Sequence, residues 1–225
     1  MKILHIETSS KNCSVSISDG EELLCVCEEV SENYKQSESL HTFVEWALEG
    51  AEITLQDLDA VSLGMGPGSY TGLRIGASSA KGFCYGLKIP LIAVNSLETM
   101  IEPFLSQNFD YIIPLLDARR MEVYTAVFDG NSGKMLTETE AKILDETSFQ
   151  EFKDKKVIFV GDGASKAKEI FQLAEAEFNA DVYPSAKYLI RKAVGKFNNK
   201  EFEDVAYFEP FYLKEFQGVK KKKAE

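Results

Sequence analysis

The chain has 225 residues, of which 44% are hydrophobic and 27% are charged, and its formal net charge at pH 7 is −11. This composition predicts a globular protein with a sizeable core, in one large domain or two small ones. The acidic balance argues against a broad nucleic-acid surface, and no apolar run approaches the ~18 residues that span a bilayer. Because the N-terminus becomes polar by Glu7, it does not resemble a signal peptide, and a cytoplasmic location is expected.

The first half of the chain predicts three strands, a helix, a strand and a second helix. Apolar residues alternate with serines from Cys13 to Ser18, which is the period of a half-buried strand, and Asp19-Gly20 is a hairpin signal. The predicted elements are strands at Ile3–Thr8, Cys13–Ser18 and Leu23–Val30, a loop at Ser31–Ser37, an amphipathic helix from Ser37 to Ala51, a strand from Ala60, and a helix that ends near Leu87.

A glycine-rich turn lies between that last strand and helix. Gly64, Gly66, Pro67 and Gly68 precede the helix, and free N–H groups at a helix N-terminus can form an anion cradle. Gly66, Gly68 and Ser69 are the candidate anion-binding residues. A tight turn with no ligand explains the same residues equally well, because glycine tolerates positive φ. Neither nucleotide motif fits, since G-x-x-x-x-G-K-[ST] is absent and G-x-G-x-x-G fails at Ser69.

The helix after the turn carries small residues at regular spacing. Gly72, Gly76 and Ala80 follow one another at i+4, with Gly82 and Gly86 later in the helix. Each interior glycine costs about 1 kcal/mol relative to alanine. We therefore expect an unusually close helix contact, either inside the chain or with a partner.

The second half repeats the pattern of the first, so both halves are predicted as β-β-β-α-β-α. This order predicts an α/β fold with a mixed sheet in each half. The predicted lobes are residues 1–105 and 106–225, with residues 202–216 packing back across the junction. The first half ends with a predicted strand at Leu91–Val94 and a segment that is helical in part, Leu97–Leu105. In the second half the predicted strands are Tyr111–Leu116, Glu122–Phe128, Lys134–Ile143 and Val157–Val160, and the predicted helices are Thr147–Phe152, Ala167–Phe178 and Leu189–Phe197.

Catalytic motifs are scarce. The chain has no H-E-x-x-H and no G-x-S-x-G, and its two histidines, His5 and His41, exclude a histidine-rich metal site. Glu7 and Asp117 each lie near the end of the first strand of a half, where they are candidates to hold a hydrated Mg²⁺ across a cleft. The alternative is an acid satisfied locally, and for Asp117 the partners would be Arg119 or Arg120.

The segment Gly64–Gly76 closely resembles the signature of the bacterial TsaB family, formerly called YeaZ. Supporting segments are Ile6–Ser9, Val94–Glu98, Asp117–Tyr124 and Pro210–Leu213. The resemblance covers essentially the whole chain. It implies a two-lobed, actin-like and sugar-kinase-like fold (ASKHA, ribonuclease H-like).

The resemblance also implies a function in making threonylcarbamoyladenosine on the tRNA adenosine beside the anticodon. TsaB-like proteins are non-catalytic subunits that form a heterodimer with the catalytic subunit TsaD, and the small ATPase TsaE joins them. The chain alone would be a homodimer with no cofactor and no metal of its own. ATP or ADP and a divalent metal would belong to the complex, and tRNA would be contacted only indirectly.

Two departures, one from TsaD and one from other TsaB chains, imply that metal-assisted chemistry has been lost. In TsaD a comparable strand is followed by a metal-binding histidine pair at i and i+4, and Ser96 and Met100 occupy those positions here. Neither is a plausible ligand for a hard or borderline divalent ion. The first strand also ends in Glu7, where TsaB chains commonly have Asp.

In this family the helices at Leu40–Ala51 and Thr71–Leu87 form the dimer surface. The resemblance therefore implies a partner interface made of nine residues, namely Leu40, Phe43, Val44, Ala47, Gly72, Leu73, Gly76, Ala80 and Phe83.

Three other functions stay open at this stage. A small-molecule kinase or ATPase of the same superfamily would use Gly161-Asp162-Gly163 as a second phosphate turn. A glycoprotease-like hydrolase is the second alternative, although the sequence shows no nucleophile–base pair for it. A simple binding module is the third. The basic segment Lys220–Lys223 is expected to be a solvated end of the chain, with direct RNA contact as the alternative.

Overall fold

Two β-sheets organise the computed structural model, which describes residues 1–31 and 36–214. In chain order the elements are β1 (Lys2–Glu7), β2 (Asn12–Asp19), β3 (Glu22–Val30), α1 (Gln36–Gly50), β4 (Ala60–Gly64), α2 (Tyr70–Leu87), β5 (Leu91–Val94), α3 (Ser96–Ile101), β6 (Tyr111–Asp117), β7 (Glu122–Thr125), β8 (Phe128–Asp129), β9 (Glu140–Ile143), β10 (Val157–Val160), α4 (Ala164–Ile170), β11 (Ala176–Asn179) and α5 (Ile190–Asn198).

The first sheet has the strand order β3-β2-β1-β4-β5. β1 pairs antiparallel with β2 and parallel with β4, and β4 pairs parallel with β5. The carboxyl ends of β1, β4 and β5 therefore meet at one edge. That edge brings together Glu7, Gly64 and Ser96, although Gly64 lies 57 positions and Ser96 lies 89 positions after Glu7 in the sequence.

Helices cover both faces of this sheet. On one face α1 and α2 bury an apolar cluster that includes Leu40, Val44 and Ala80. On the other face α5 packs its buried residues Ala193 and Val194 against strands β1, β4 and β5. The chain thus returns to the first sheet at α5, which precedes residues 202–216, the segment that was predicted to pack back.

The second sheet has the order β11-β10-β6-β7-β9, with β8 paired to β6. The prediction of one helix over Ala167–Phe178 was wrong. The helix ends at Ile170, and Phe178 lies in β11, which pairs parallel with β10. Phe178 stacks on Phe159 with ring centroids 5.0 Å apart, so packing in the sheet overrides the helical spacing of the aromatic residues.

Three further differences fall in the second half. The predicted strand Lys134–Ile143 is reduced to β9, and the predicted strand Glu122–Phe128 is divided between β7 and β8. The expected helix at Thr147–Phe152 is a single 3₁₀ turn, Gln150–Phe152. The second lobe therefore lacks the first helix of the β-β-β-α-β-α order, which the first lobe has.

Residues 202–214 run back over the first lobe and then reach the second. The Phe211 N–H donates to the Met65 carbonyl (2.8 Å), and Lys81 Nζ donates to the carbonyls of Ala206 and Phe208. Lys214 forms an ion pair with Glu122 of β7. The basic segment Lys220–Lys223 lies outside the described residues.

Candidate functional site

Glu7 lies at the carboxyl end of β1 and is fully buried. Its Oε1 accepts a hydrogen bond from the Ser9 N–H (2.8 Å), and its Oε2 accepts one from Ser96 Oγ (2.9 Å). Burial raises the pKa of the Glu7 carboxyl above its ordinary value, and these hydrogen bonds oppose the rise. The side chain therefore sits inside the protein rather than in an open cleft.

The glycine turn is shaped around this carboxyl group. A Cβ at Gly64 would lie 1.9 Å from Glu7 Oε2, so a larger residue there would displace the buried carboxyl group. Gly66 has φ +102°, a conformation that favours glycine. Its N–H donates to Ser96 Oγ (3.2 Å), and its carbonyl accepts from the Ser96 N–H (2.8 Å).

The start of α2 is also bonded within the chain. The Ser69 N–H donates to the Ser9 carbonyl (2.6 Å), and Ser69 Oγ accepts from the Gly72 N–H (3.3 Å) as the helix N-cap. A Cβ at Gly68 would lie 2.2 Å from the same Ser9 carbonyl oxygen. Of the predicted cradle, the N–H groups of Gly66 and Ser69 therefore bind protein acceptors, and Gly68 lies against protein backbone.

The predicted close helix contact lies inside the chain. A Cβ at Gly72 would be 2.0 Å from the Thr8 carbonyl oxygen, and a Cβ at Gly76 would be 2.3 Å from Thr8 Oγ1. Thr8 Oγ1 donates to the Gly72 carbonyl (2.8 Å), which ties α2 to the end of β1. These two glycines are therefore required by the fold itself.

The predicted interface residues need a correction for the same reason. Eight of the nine are buried within this chain, and the ninth, Phe83, is half-buried, so they form the core between the helices and the sheet. The exposed faces of α1 and α2 carry other residues, which include Trp46, Gly82, Tyr85 and Gly86. In the sequence this exposed face is indicated by Gly82 and Gly86, which follow Gly72 and Gly76 on the helix. A Cβ added at either Gly82 or Gly86 would meet no other group within 4 Å.

Asp117 is the equivalent acid of the second lobe, and its partner is Lys166 of α4. Lys166 Nζ lies 2.5 Å from Asp117 Oδ1 and also donates to the carbonyls of Arg120 and Glu122. The prediction that Arg119 or Arg120 would pair with Asp117 was wrong, since Arg119 contributes only its backbone N–H (2.9 Å). Lys166 was missed because its contact depends on how α4 packs.

The turn Gly161-Asp162-Gly163 is packed against β6. Cβ atoms at Gly161 and Gly163 would lie 2.5 Å and 2.8 Å from the Leu115 carbonyl oxygen. Asp162 Oδ1 accepts from the Asp117 N–H (2.8 Å). Burial raises the pKa of the Asp162 carboxyl, against the effect of that hydrogen bond. The expected second phosphate turn is therefore closed by protein groups.

The residues at the positions of the TsaD histidine pair do not fit a metal ion. Ser96 Oγ is bonded to Glu7 and to the Gly66 N–H. Met100 is buried in an apolar cluster at the lobe junction. Within residues 1–31 and 36–214, no group of three or more His, Cys, Asp or Glu side chains is arranged to hold a metal ion.

Comparison with known proteins identifies the family. The family model described as "TsaD: tRNA N6-adenosine threonylcarbamoyltransferase" matches residues 26–217. The Bacillus subtilis protein TsaB is 31% identical over 178 residues, 76% of each chain. A TsaB protein of Buchnera aphidicola is 30% identical over 195 residues, which are 84% of this chain and 90% of the relative.

The chain belongs to the TsaB (YeaZ) family. YeaZ from Pseudomonas aeruginosa has the same fold, with a TM-score of 0.81 and 24% identity over 94% of this chain and 100% of the other. A second Pseudomonas aeruginosa structure, titled as similar to peptidase YEAZ, gives a TM-score of 0.83 over 95% and 99%. The α/β fold expected for TsaB proteins, with two mixed sheets and helices, is therefore confirmed. Among the helices that the structure describes, none has the length and apolar character needed to cross a membrane.

Proposed function

We propose that this chain is a scaffold and activator subunit in the biosynthesis of threonylcarbamoyladenosine on tRNA. It pairs with TsaD, recruits TsaE and has no turnover of its own. Membership of the TsaB family carries the proposal. The relatives named above are described as tRNA threonylcarbamoyladenosine biosynthesis proteins.

The closed glycine turn supports the non-catalytic part of the proposal. Phosphate-binding turns act through free backbone N–H groups, and here Gly66 and Ser69 donate theirs to Ser96 and Ser9. The carboxylates of Glu7 and Asp117 are likewise occupied, by Ser9 and Ser96 and by Lys166. ATP or ADP and the divalent metal are then bound by the complex, and this acidic chain contacts tRNA only indirectly.

The exposed faces of α1 and α2 are the proposed partner surface. Trp46 is 56% exposed and Tyr85 is 84% exposed, and aromatic residues of this kind are enriched at the centres of interfaces. Gly82 and Gly86 lie beside Tyr85 on α2 and leave room for a partner backbone to approach. His41 Nε2 and Ser79 Oγ are 3.2 Å apart and join the two helices. TsaD binds this face in the complex, and a second copy of the chain binds it when the protein is alone.

A leucine at Gly82 tests the surface without disturbing the core. The matched control is Gly195→Leu on α5, because both glycines are exposed, helical and without neighbours within 4 Å. Both variants should fold by circular dichroism. We expect Gly82→Leu to lose co-purification with TsaD and to lose tRNA modification in cells that lack the native protein, while Gly195→Leu keeps both.

Three results would contradict the proposal or a part of it. Normal threonylcarbamoyladenosine levels in cells without this protein would exclude a required subunit. Substrate-dependent ADP release by the purified chain alone would favour the kinase. A Gly82→Leu variant that still binds TsaD would move the interface elsewhere.

A further inference from the structure

Residues 204–212, which we call the strap, lie along one flank of α2. Near one end of the strap, Lys81 Nζ donates to two of its carbonyl groups, at 3.0 Å and 3.1 Å. At the other end, the ring centroid of Tyr212 is 4.9 Å from that of Tyr70. Tyr70 and Lys81 are about three helical turns apart. The strap therefore runs antiparallel to α2 over most of the length of the helix.

Tyr207 is held on a fixed turn of the strap while its side chain stays in solvent. Asp204 Oδ1 accepts hydrogen bonds from the N–H groups of Ala206 (2.8 Å) and Tyr207 (3.1 Å). The Phe208 N–H donates to the Asp204 carbonyl (2.8 Å). The two carbonyls that Lys81 binds belong to Ala206 and Phe208, on either side of Tyr207. Because this backbone is fixed in advance, a partner that contacts Tyr207 loses little entropy in ordering it.

The strap borders the exposed stripe of α2 that carries Tyr85. Tyr85 follows Lys81 by four residues, and side chains at that spacing are neighbours on a helix, with Cβ atoms about 5–6 Å apart. Tyr85 is 84% exposed and Tyr207 is 85% exposed, the two largest fractions among the exposed large hydrophobic residues in the described part of the chain. A single exposed aromatic residue is ordinary. These two, however, lie on adjoining elements of one surface, joined through Lys81.

An interface of ordinary size would reach this flank of α2. A stable protein–protein interface uses about 20–30 residues on each side. Among the positions whose burial the structure describes, α1 presents seven exposed residues and α2 presents six. A partner seated on these two helices therefore also contacts their flanks, and the strap occupies the flank of α2 at Lys81.

We propose that the strap is a third element of the surface that binds TsaD, and that Tyr207 is one of its principal contact residues. This inference rests on the proposed function and extends the partner surface beyond α1 and α2. Tyrosine suits such a position, because it offers a large contact area and has only two side-chain torsions to be ordered.

Calorimetric titration of the full-length chain with TsaD tests the inference. Tyr207→Ala removes the exposed ring. Ile143→Ala is the matched control, since Ile143 is 69% exposed and ends β9 in the other sheet. Gly82→Leu reports on the helix surface itself. We expect the Kd to rise at least about tenfold in Tyr207→Ala, binding to be lost in Gly82→Leu, and the Kd to be unchanged in Ile143→Ala.

A second variant tests the frame of the turn while the Tyr207 ring is kept. Lys81→Met keeps a long apolar side chain but has no group that can donate to the strap. Amide hydrogen exchange should become faster at Ala206 and Phe208, and the affinity for TsaD should fall. Unchanged exchange at both amides, with unchanged affinity, would contradict the role given to Lys81 in holding Tyr207.

A failure of this inference is distinguishable from a failure of the proposed function. If Gly82→Leu loses TsaD but Tyr207→Ala binds it as tightly as the native chain does, TsaD does not use the strap, and the scaffold function stands. If Ile143→Ala weakens binding as much as Tyr207→Ala, the effect is not specific to the strap and the inference is wrong. If the native chain does not bind TsaD, both proposals fail.

Discussion

Glu7 is an ionisable side chain in a fully buried position, and the stability of the protein should depend on its charge. Its folded-state pKa is raised above the unfolded value. The stabilisation linked to this group is therefore complete below the unfolded pKa and is lost as pH rises through the folded pKa. Each pKa unit of such a shift corresponds to about 1.4 kcal/mol.

Glu7→Gln should therefore gain stability relative to the native chain as pH rises. Glutamine keeps an acceptor for the Ser9 N–H and places a donor towards Ser96 Oγ. The measurement is urea unfolding of both proteins at pH 5 and pH 8, with exposed Glu146→Gln as the control. The difference in the free energy of unfolding should favour Glu7→Gln more at pH 8, and a difference that shrinks with pH would contradict the prediction.

The sequence located these polar residues but not their partners. Glu7, Asp117 and the glycine turn were all predicted at functional positions. Their actual partners, Ser96 for Glu7 and Lys166 for Asp117, lie 89 and 49 positions away in the sequence. Contacts of that kind depend on strand order and helix packing, which local patterns do not specify.

At the scale of the element, α2 contains two classes of glycine that should respond in opposite ways. Alanine at Gly72 would place its Cβ against the Thr8 carbonyl oxygen, and such overpacking costs about 1–3 kcal/mol. Alanine at exposed Gly82 meets nothing and should gain up to about 1 kcal/mol of helix propensity. Chemical denaturation of the two single variants tests the pair, and equal effects would contradict the assignment.

Element type followed from the sequence where periodicity and burial agreed, as in α1, α2 and α5. It failed where an aromatic cluster imitated a helical stripe. Phe171 and Phe178 both contact Phe159, the first edge-on and the second stacked. A buried strand and a helix can present the same apolar residues to one core, so spacing alone cannot separate them.

For the whole molecule, the path of the chain makes the first lobe dependent on the last third of the sequence. Ile3 and Ile92 are fully buried beneath residues that include Ala193 and Val194 of α5. A fragment of residues 1–105 would expose that apolar face to water. We expect it to aggregate or to give a poorly dispersed NMR spectrum, and co-expression with residues 183–214 to restore dispersion. A monomeric, well-dispersed 1–105 fragment would contradict this.

The closed turn at Glu7 has a consequence for how the protein responds to its surroundings. The acceptors of the turn's N–H groups, Ser96 Oγ and the Ser9 carbonyl, belong to the same polypeptide, so they compete at an effective concentration of about the millimolar range or above. An anion in solution would have to displace them and also leave Ser9 and Ser96 without their bonds to Glu7. Groups of the chain itself therefore hold this edge of the sheet in place, whatever anions the surrounding solution contains.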